Sequence, residues 1–259
     1  MRGGSQSHLV QAEDDHFYVL KTTRNGQHRR VLINEWLSAA ILRHLGILVP
    51  DTAIIHVTDE FLAENSDLYI SRHHQQSVPA GFHFGSRLSV NPETTAIFDF
   101  LTDKMLGQLP NRLDFIGTLV FDKWAFNCDS RQAIFFRAKL PGRKMGFWAQ
   151  MIDHGFTLGG PTWCFDDLPK YGFYFRPCVY DPILSLDSLA PWLEAVRSFP
   201  DHILATARRQ LPPEWVDGDE EALERTLNVL MERRSRVDLI INKCRAAYPE
   251  PFRNWRRMS

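Results

Sequence analysis

The sequence predicts an α+β fold of two unequal lobes, a small β-rich N-lobe and a larger helical C-lobe. Strand-like patterns dominate before residue 78, and helical periodicity dominates the last third of the chain. Between the lobes, residues 79–92 show little periodicity and contain Gly and Pro, which is typical of a linker. The expected organisation is therefore an N-lobe at 1–78, a linker at 79–92 and a C-lobe at 93–259.

The N-lobe elements follow from short-range patterns. Residues 9–11 and 16–21 are expected to form two strands joined by a hairpin at a polar turn. A helix is expected over Leu32–Leu45, because apolar residues recur at helical spacing and Gly46 is a natural C-cap. Further strands are expected at Thr52–Val57 and at 68–70.

In the C-lobe, helices are expected at 94–107 and 113–127, followed by strands at 133–137 and 147–152. The stretch 155–180, rich in Gly, Pro and aromatic residues, is expected to be a long loop. Helices are then expected near 190–199, 201–210 and 219–247. Seven Trp and 18 Phe indicate a substantial core in the middle of the chain.

Composition excludes several classes of protein. Thirty basic against 31 acidic residues give a net charge of −1, which argues against a general nucleic-acid binder. The four cysteines are widely scattered, without the spacing of a zinc site or a disulfide framework. The sequence has no signal peptide and no apolar run of membrane-spanning length. A reducing cytoplasm is therefore the expected location, with no membrane partner.

Two loop motifs carry the chemistry. Asn127-Cys128-Asp129 is followed, after an apolar stretch, by Ile152-Asp153-His154-Gly155. In a kinase-type layout, the first Asp accepts a hydroxyl proton, and the second, at a strand end before a Gly, holds the metal of Mg-ATP. The order of the two motifs predicts a phosphotransferase. Taken alone, Asp129 would more simply be an Asp that caps its own loop.

Upstream residues fit the same layout. Lys21 ends a predicted strand, and Glu35 lies in the following helix, as expected for a phosphate-binding Lys and the Glu that orients it. Each has a plainer explanation, a solvated charge for Lys21 and a helix-dipole effect for Glu35. Gly3-Gly4-Ser5 precedes a strand, where glycine lets backbone N–H groups approach a phosphate, or it is simply an unordered start.

Gln132 and His154 are weaker candidates. Gln132 could supply an amide oxygen to a metal, although a structural role is equally consistent with the sequence. His154 has no Cys or carboxylate at metal-ligand spacing, so no zinc site is expected there. The apolar stripe of the predicted 219–247 helix is expected to be core rather than a partner groove.

Taken in order, these motifs resemble the compact bacterial HipA-like kinases. The resemblance begins at Gly3-Gly4-Ser5-Gln6 and continues through Tyr18-Val19-Leu20-Lys21. It is strongest from Asn34-Glu35-Trp36-Leu37 to Leu45-Gly46-Ile47-Leu48-Val49-Pro50. Further matches are Phe121-Asp122-Lys123-Trp124 and the two Asp motifs, so the resemblance spans roughly residues 1–175.

The resemblance implies a protein-kinase-like fold with Mg-ATP in the cleft and an unknown protein substrate phosphorylated on Ser or Thr. It implies that Lys21 binds phosphates, that Glu35 is its partner, and that Gly3, Gly4 and Ser5 cover the phosphates. It also implies Asp129 as catalytic Asp and Asp153 as metal ligand, with Gln132 as a substitute second ligand. Ser5 is a candidate for self-phosphorylation.

The chain departs from the family pattern in two places. Larger relatives have D-x-H-x-K-N after the catalytic Asp, whereas this chain has the shorter Asp129-Ser130-Arg131-Gln132, which predicts a weaker metal site. The chain also starts on the Gly-rich segment, which predicts poor ATP capture or a true start further upstream. Two alternatives therefore stay open beside a protein kinase: a small-molecule kinase, and a pseudokinase that binds nucleotide without phosphotransfer.

Overall fold

The computed structural model describes residues 7–24, 26–66, 68–71, 76–142 and 144–256. Strands are β1 (His8–Gln11), β2 (Phe17–Lys21), β3 (Thr52–Val57), β4 (Tyr69–Ser71), β5 (Gln76–Ser77), β6 (Gly81–Arg87), β7 (Ile97–Phe98), β8 (Gln132–Lys139) and β9 (Met145–Ile152). Helices are α1 (Arg30–His44), α2 (Asp59–Glu64), α3 (Asp103–Gly107), α4 (Asp114–Trp124), α5 (Ala190–Arg197), α6 (Asp201–Arg209), α7 (Pro213–Val216), α8 (Glu220–Arg233) and α9 (Val237–Ala247).

The N-terminal half is built on a four-stranded antiparallel sheet in the order β1-β2-β6-β3. The predicted β1–β2 hairpin is present, and β3 has the predicted bounds. Lys21 is the last residue of β2, where it pairs with Phe84 of the neighbouring strand. The sheet thereby fixes the backbone position of the candidate phosphate-binding lysine.

The interpretation of 79–92 as a linker is wrong for residues 81–87, which form the inner strand β6. This strand is paired on both edges, with β2 and with β3, and both His83 and Phe84 are buried. Successive buried residues remove the polar–apolar alternation by which a half-exposed strand is recognised. Gly85 is required here, since a Cβ would come within 2.6 Å of the Ile55 side chain.

Helix α1 is the predicted helix, with its C-terminal Gly46 at φ +74°. Most of its residues are buried, which is typical of a helix enclosed between layers rather than packed on one face. It lies against α6, α7 and β6, and the Trp36 indole donates to the Ala207 carbonyl. Glu35 is therefore carried by an element that packs on both halves of the molecule.

The C-terminal half combines a three-stranded sheet, β7-β8-β9, with helices around the buried α4. The predicted helix at 94–107 is wrong for most of its length, because Ile97–Phe98 pair with Phe135 and Phe136 of β8 and only 103–107 are helical. The predicted helix at 219–247 is interrupted by a 3₁₀ turn at Arg234–Arg236. No helix within the described ranges is long and apolar enough to cross a membrane.

Candidate active site

A buried lysine joins two carboxylates from different elements. The Lys21 ammonium at the end of β2 donates to Glu35 Oε1 of α1 and, at 2.8 Å, to Oδ1 of Asp153, which follows β9. Lys21 and Glu35 are 7% and 3% exposed. The spacing expected from sequence therefore does bring together Lys21, Glu35 and Asp153.

Electrostatics keep this cluster charged. Burial disfavours the Lys21 ammonium, but attraction to Glu35 and Asp153 outweighs it and raises the pKa of Lys21 above its ordinary value. Burial acts on Asp153 in the opposite sense, yet the Lys21 charge lowers the pKa of that carboxyl. Burial raises the pKa of Glu35, whose charge depends on keeping the lysine as its partner. At neutral pH the site holds a lysine cation against Asp153 as carboxylate.

Asp153 is positioned for access from outside. Its backbone adopts φ +57°, and its side chain is one-third exposed, unlike that of Glu35. Gln132, the first residue of β8, pairs with Ile152 of β9, and its Nε2 donates to Asp153 Oδ2 at 2.9 Å. The two residues predicted to hold a metal are therefore neighbours, and one Asp153 oxygen faces Lys21 while the other faces Gln132.

The segment after Asp153 is pinned to α1. The second oxygen of Glu35 accepts the His154 N–H at 3.0 Å. Gly155 lies so close to α1 that a Cβ would come within 2.3 Å of Val31 Cγ1. This contact explains why the D-x-G motif needs its glycine: a larger residue would push the Asp153 loop away from Glu35.

Asn34 holds the same segment and was not assigned this role from sequence. The side chain is fully buried, and its Nδ2 donates to the carbonyls of Gly155, Thr157 and Gly160 at 2.8, 2.9 and 3.2 Å. Its Oδ1 accepts the Trp163 indole N–H at 2.8 Å. One asparagine next to Glu35 thus orders the start of the 155–180 loop.

The Asp129 loop follows α4 and is built by local hydrogen bonds. The Asn127 side chain accepts the Asp129 N–H at 3.0 Å. The Asp129 carbonyl accepts the Gly172 N–H, and the carboxylate accepts the Ser130 N–H at 2.7 Å. Asp129 is therefore fixed by its own loop and by residue 172, and among the described residues it forms no ion pair with the Lys21 cluster.

Arg131 connects the Asp129 loop to the Asp153 loop. It forms an ion pair with Asp122 in which both side chains are almost completely buried, with Nε to Oδ2 at 2.9 Å. Its Nη1 also donates to the Ile152 carbonyl at 3.0 Å and to His154 Nδ1 at 2.7 Å. Sequence reasoning missed this role. The available signal was an Asp and an Arg nine residues apart on either side of a loop.

His154 is a neutral structural residue in this arrangement. Burial and the nearby Arg131 cation place the pKa of His154 well below its ordinary value. Arginine can only donate, so Nδ1 accepts its bond and Nε2 carries the proton.

The predicted Gly3, Gly4 and Ser5 lie outside the described residues.

Comparisons with known proteins found a kinase family model and a kinase structure. A family model described as HipA-like kinase matches residues 1–135, which include Lys21, Glu35 and Asp129. A solved structure described as "Crystal structure of the golgi casein kinase" has a similar fold, with a TM-score of 0.50 at 13% identity. The alignment covers 95% of this chain and 73% of that one. No curated protein sequence matched.

The structural similarity confirms the predicted two-lobed, protein-kinase-like α+β fold, and the family match covers more than half of the chain. Kinase-type phosphotransfer is the activity that this membership supports. The chain belongs to the HipA-like kinase family.

Proposed function

We propose that the protein transfers the γ-phosphoryl group of Mg-ATP to a Ser or Thr hydroxyl of a protein substrate. The observation that carries the proposal is the buried Lys21 ammonium shared between Glu35 of α1 and Asp153 after β9. Phosphoryl transfer needs little covalent chemistry from the protein and depends on positioning and on neutralising charge. Lys21 supplies a fixed cation for the phosphates, and Glu35 fixes its direction.

The donor set fits a magnesium–nucleotide complex. Mg²⁺ prefers oxygen ligands and is usually bound by one or two carboxylates together with phosphate oxygens and water. Asp153 offers a carboxylate that is one-third exposed, and Gln132 beside it offers an amide oxygen. In this role Asp153 would turn from Lys21 towards the metal, and Lys21 towards the phosphates. The metal, when bound, neutralises phosphate charge.

Asp129 is proposed as the general base. It lies in a loop that Arg131 ties to the Asp153 segment, so the base and the metal ligand keep a fixed relation. Its carboxylate would accept the proton of the substrate hydroxyl as the new P–O bond forms and the bond between the γ-phosphorus and the β–γ bridging oxygen breaks, with ADP leaving. Gly3, Gly4 and Ser5 are proposed to cover the phosphates from the N-terminal side.

The lobe division is proposed with one change from the sequence-based boundaries. Because β6 pairs with β2 and β3, the N-lobe extends to at least Arg87, and the connection to the C-lobe follows that residue.

A second candidate is a pseudokinase that binds nucleotide without transferring phosphate. Gln132 favours this candidate. In the family pattern D-x-H-x-K-N, an Asn after a Lys lies farther along the loop, whereas here the amide N–H of Gln132 donates to Asp153. Under this hypothesis, the hydrogen bond from the Gln132 amide engages Asp153 Oδ2, the carboxylate oxygen that a second bond to the metal would need.

The two candidates differ in the effect of Asp129→Ala. We expect the variant to lose phosphotransfer from labelled ATP to a protein mixture by about 10²–10⁴-fold, because general-base catalysis contributes that much. ATP affinity, measured by calorimetry, should stay unchanged. Asp59→Ala, in the exposed first turn of α2, is the matched control. Transfer that survives in Asp129→Ala would contradict the assigned base, and ATP binding without transfer in the wild type would favour the pseudokinase.

A further inference from the structure

A small cavity lies behind the Asp129 loop, away from the Lys21 cluster. It has a volume of about 130 Å³, opens to solvent, and is lined by α9, the end of α4 and the segment 167–171. Engineered cavities of roughly this size bind one benzene-sized molecule. The cavity therefore has room for one small ligand.

The charge around this cavity is positive. Its cationic side chains are Lys123, Arg233, Arg236 and Lys243. Its two carboxylates are already neutralised, Asp122 by Arg131 and Asp167 by Arg233. The remaining lysines and Arg236 therefore give the cavity an excess of positive charge.

Two of these cations stand free on one helix. Arg236 is the N-cap residue of α9, Lys243 lies within α9, and both side chains line the cavity. Both are exposed, and neither has a hydrogen-bond or ion-pair partner within the part of the chain that the structure describes. A ligand can therefore pair with both charges without breaking an existing hydrogen bond or ion pair of these side chains.

Lys123 is a buried cation without a carboxylate partner among the described residues. The side chain is 6% exposed, and its ammonium donates to the carbonyls of Pro169 and Tyr171 and lies 3.8 Å from the centroid of the Phe173 ring. Burial lowers the pKa of Lys123 below its ordinary value, although contact with Cys244 and attraction to Asp122 and Asp167 act in the opposite direction. Buried charges in proteins are normally paired, and an anion in the adjoining cavity would add an ionic partner to the carbonyl, thiol and ring contacts that Lys123 already has.

The rest of the lining is apolar. Phe126 and Ile240 contribute to the wall, while Leu168 and Leu239, 46% and 51% exposed, stand at the rim. An inorganic ion alone would leave this apolar surface uncovered. A ligand with a compact hydrocarbon part would cover it and gain free energy from removing it from water.

We propose that this cavity binds a small organic anion, a carboxylate or phosphate on a compact apolar body. The anionic group lies between Arg236, Lys243 and Lys123, and the apolar body lies against Leu168 and Leu239. This binding does not depend on the proposed kinase activity.

The cavity is connected to the Asp129 loop. Asn127 lines it and accepts the Asp129 N–H, and the lining segment ends at Tyr171, next to Gly172, whose N–H donates to the Asp129 carbonyl at 2.8 Å. A ligand that orders residues 167–172 therefore also orders the backbone of Asp129. If the proposed function holds, the ligand is an effector of phosphotransfer.

Phenyl phosphate is a suitable probe, because it carries a phosphate on a compact apolar ring. Inorganic phosphate is the comparison ligand, because it has the anionic group but no apolar body. Binding of each is measured by calorimetry on the full chain in nucleotide-free buffer. The cavity variant is Arg236→Gln/Lys243→Gln, and the charge-matched control is Arg209→Gln/Arg225→Gln, two exposed arginines outside the cavity. Lys21→Met reports on binding in the candidate active site instead.

We expect the cavity variant to lose at least about tenfold in phenyl phosphate affinity, because two charge-assisted contacts are removed. The control and Lys21→Met should bind as the wild type does, and inorganic phosphate should bind at least about tenfold more weakly. Hydrogen exchange at residues 167–172 should slow with the probe in the wild type but not in the cavity variant. Loss of binding only in Lys21→Met, equal affinity for inorganic phosphate, or no binding at all would each overturn the inference.

Discussion

The position of the Lys21 ammonium depends on Glu35 and Asp153, the two carboxylates that flank it. Its ammonium is buried between two carboxylates that come from a helix and from a strand end. Removing one partner of a buried ion pair leaves an uncompensated charge, which costs several kcal/mol. The residues that hold Glu35 and Asp153, chiefly Asn34 and Arg131, therefore matter as much as the charged groups themselves.

His83 gives the stability of the fold a predictable pH dependence. It is fully buried in β6, its Nδ1 accepts the Thr23 N–H at 3.1 Å, and its Nε2 donates to the Pro79 carbonyl. Burial lowers the pKa of His83 below its ordinary value. Below about pH 6.5, His83 is therefore protonated in the unfolded chain but stays neutral in the folded protein.

We expect the free energy of unfolding to fall as pH decreases from about 6.5, with His83 contributing up to about 1.4 kcal/mol per pH unit. Above that pH its contribution is constant. Urea unfolding of the wild type and His83→Gln, followed from pH 7.5 to 5.0, measures the difference in slope. Identical slopes for the two proteins would contradict this assignment.

At the scale of single residues, the sequence was informative where a role depends on order along the chain. Lys21 and Glu35 are separated by 14 residues, and the order of strand, helix and later Asp motifs, together with the family resemblance, predicted their pairing. The bonds of Asn34 to Gly155, Thr157 and Gly160 span more than 120 residues. No local pattern specifies such contacts, so the holding role of Asn34 became visible only in the fold.

At the scale of elements, α1 is the component on which the site depends. Its N-terminus is fastened to the C-terminal half by Arg30, whose Nε donates to Asp219 Oδ2 at 2.9 Å and whose Nη1 donates to the Pro161 carbonyl at 3.0 Å. The guanidinium also lies 4.3 Å from the centroid of the Trp163 ring. Contacts with the C-terminal half of the molecule, away from the N-terminal sheet, therefore hold the helix that carries Glu35.

Arg30→Gln should lower the free energy of unfolding by about 1–3 kcal/mol, because it removes charge-assisted hydrogen bonds from a partly buried pair. Chemical denaturation at pH 7 measures this change. Arg225→Gln is the matched control, since its ion pair with Glu221 is exposed and such pairs contribute less than about 1 kcal/mol. An equal effect of the two substitutions would show that Arg30 does not anchor α1.

Element prediction succeeded for α1 and β3 and failed for β6 and for 94–107. In β6, pairing on both edges and burial on both faces erase the alternation that marks a strand. In 94–107, tertiary pairing of Ile97–Phe98 with β8 overrides local helical spacing. Both errors arise from long-range contacts rather than from turn or capping signals.

At the scale of the whole molecule, the candidate site is assembled from both halves of the chain. Lys21 comes from the N-terminal sheet, and Asp153 and Gln132 come from the β8–β9 hairpin, with α1 between them. The family match ends at residue 135, before Asp153, so the metal-binding role of Asp153 depends on geometry and motif order. That role is the central claim of the proposed function.

Calorimetric titration of Mg-ATP into the wild type and Asp153→Asn tests this claim most directly. Asn is preferred to Ala because Asp153 has φ +57°, a conformation that Asn tolerates well. We expect wild-type binding to require magnesium and to weaken by at least about tenfold in Asp153→Asn, as a charged metal ligand is lost. Tight binding that is indifferent to both magnesium and the substitution, or no binding by the wild type, would contradict the account.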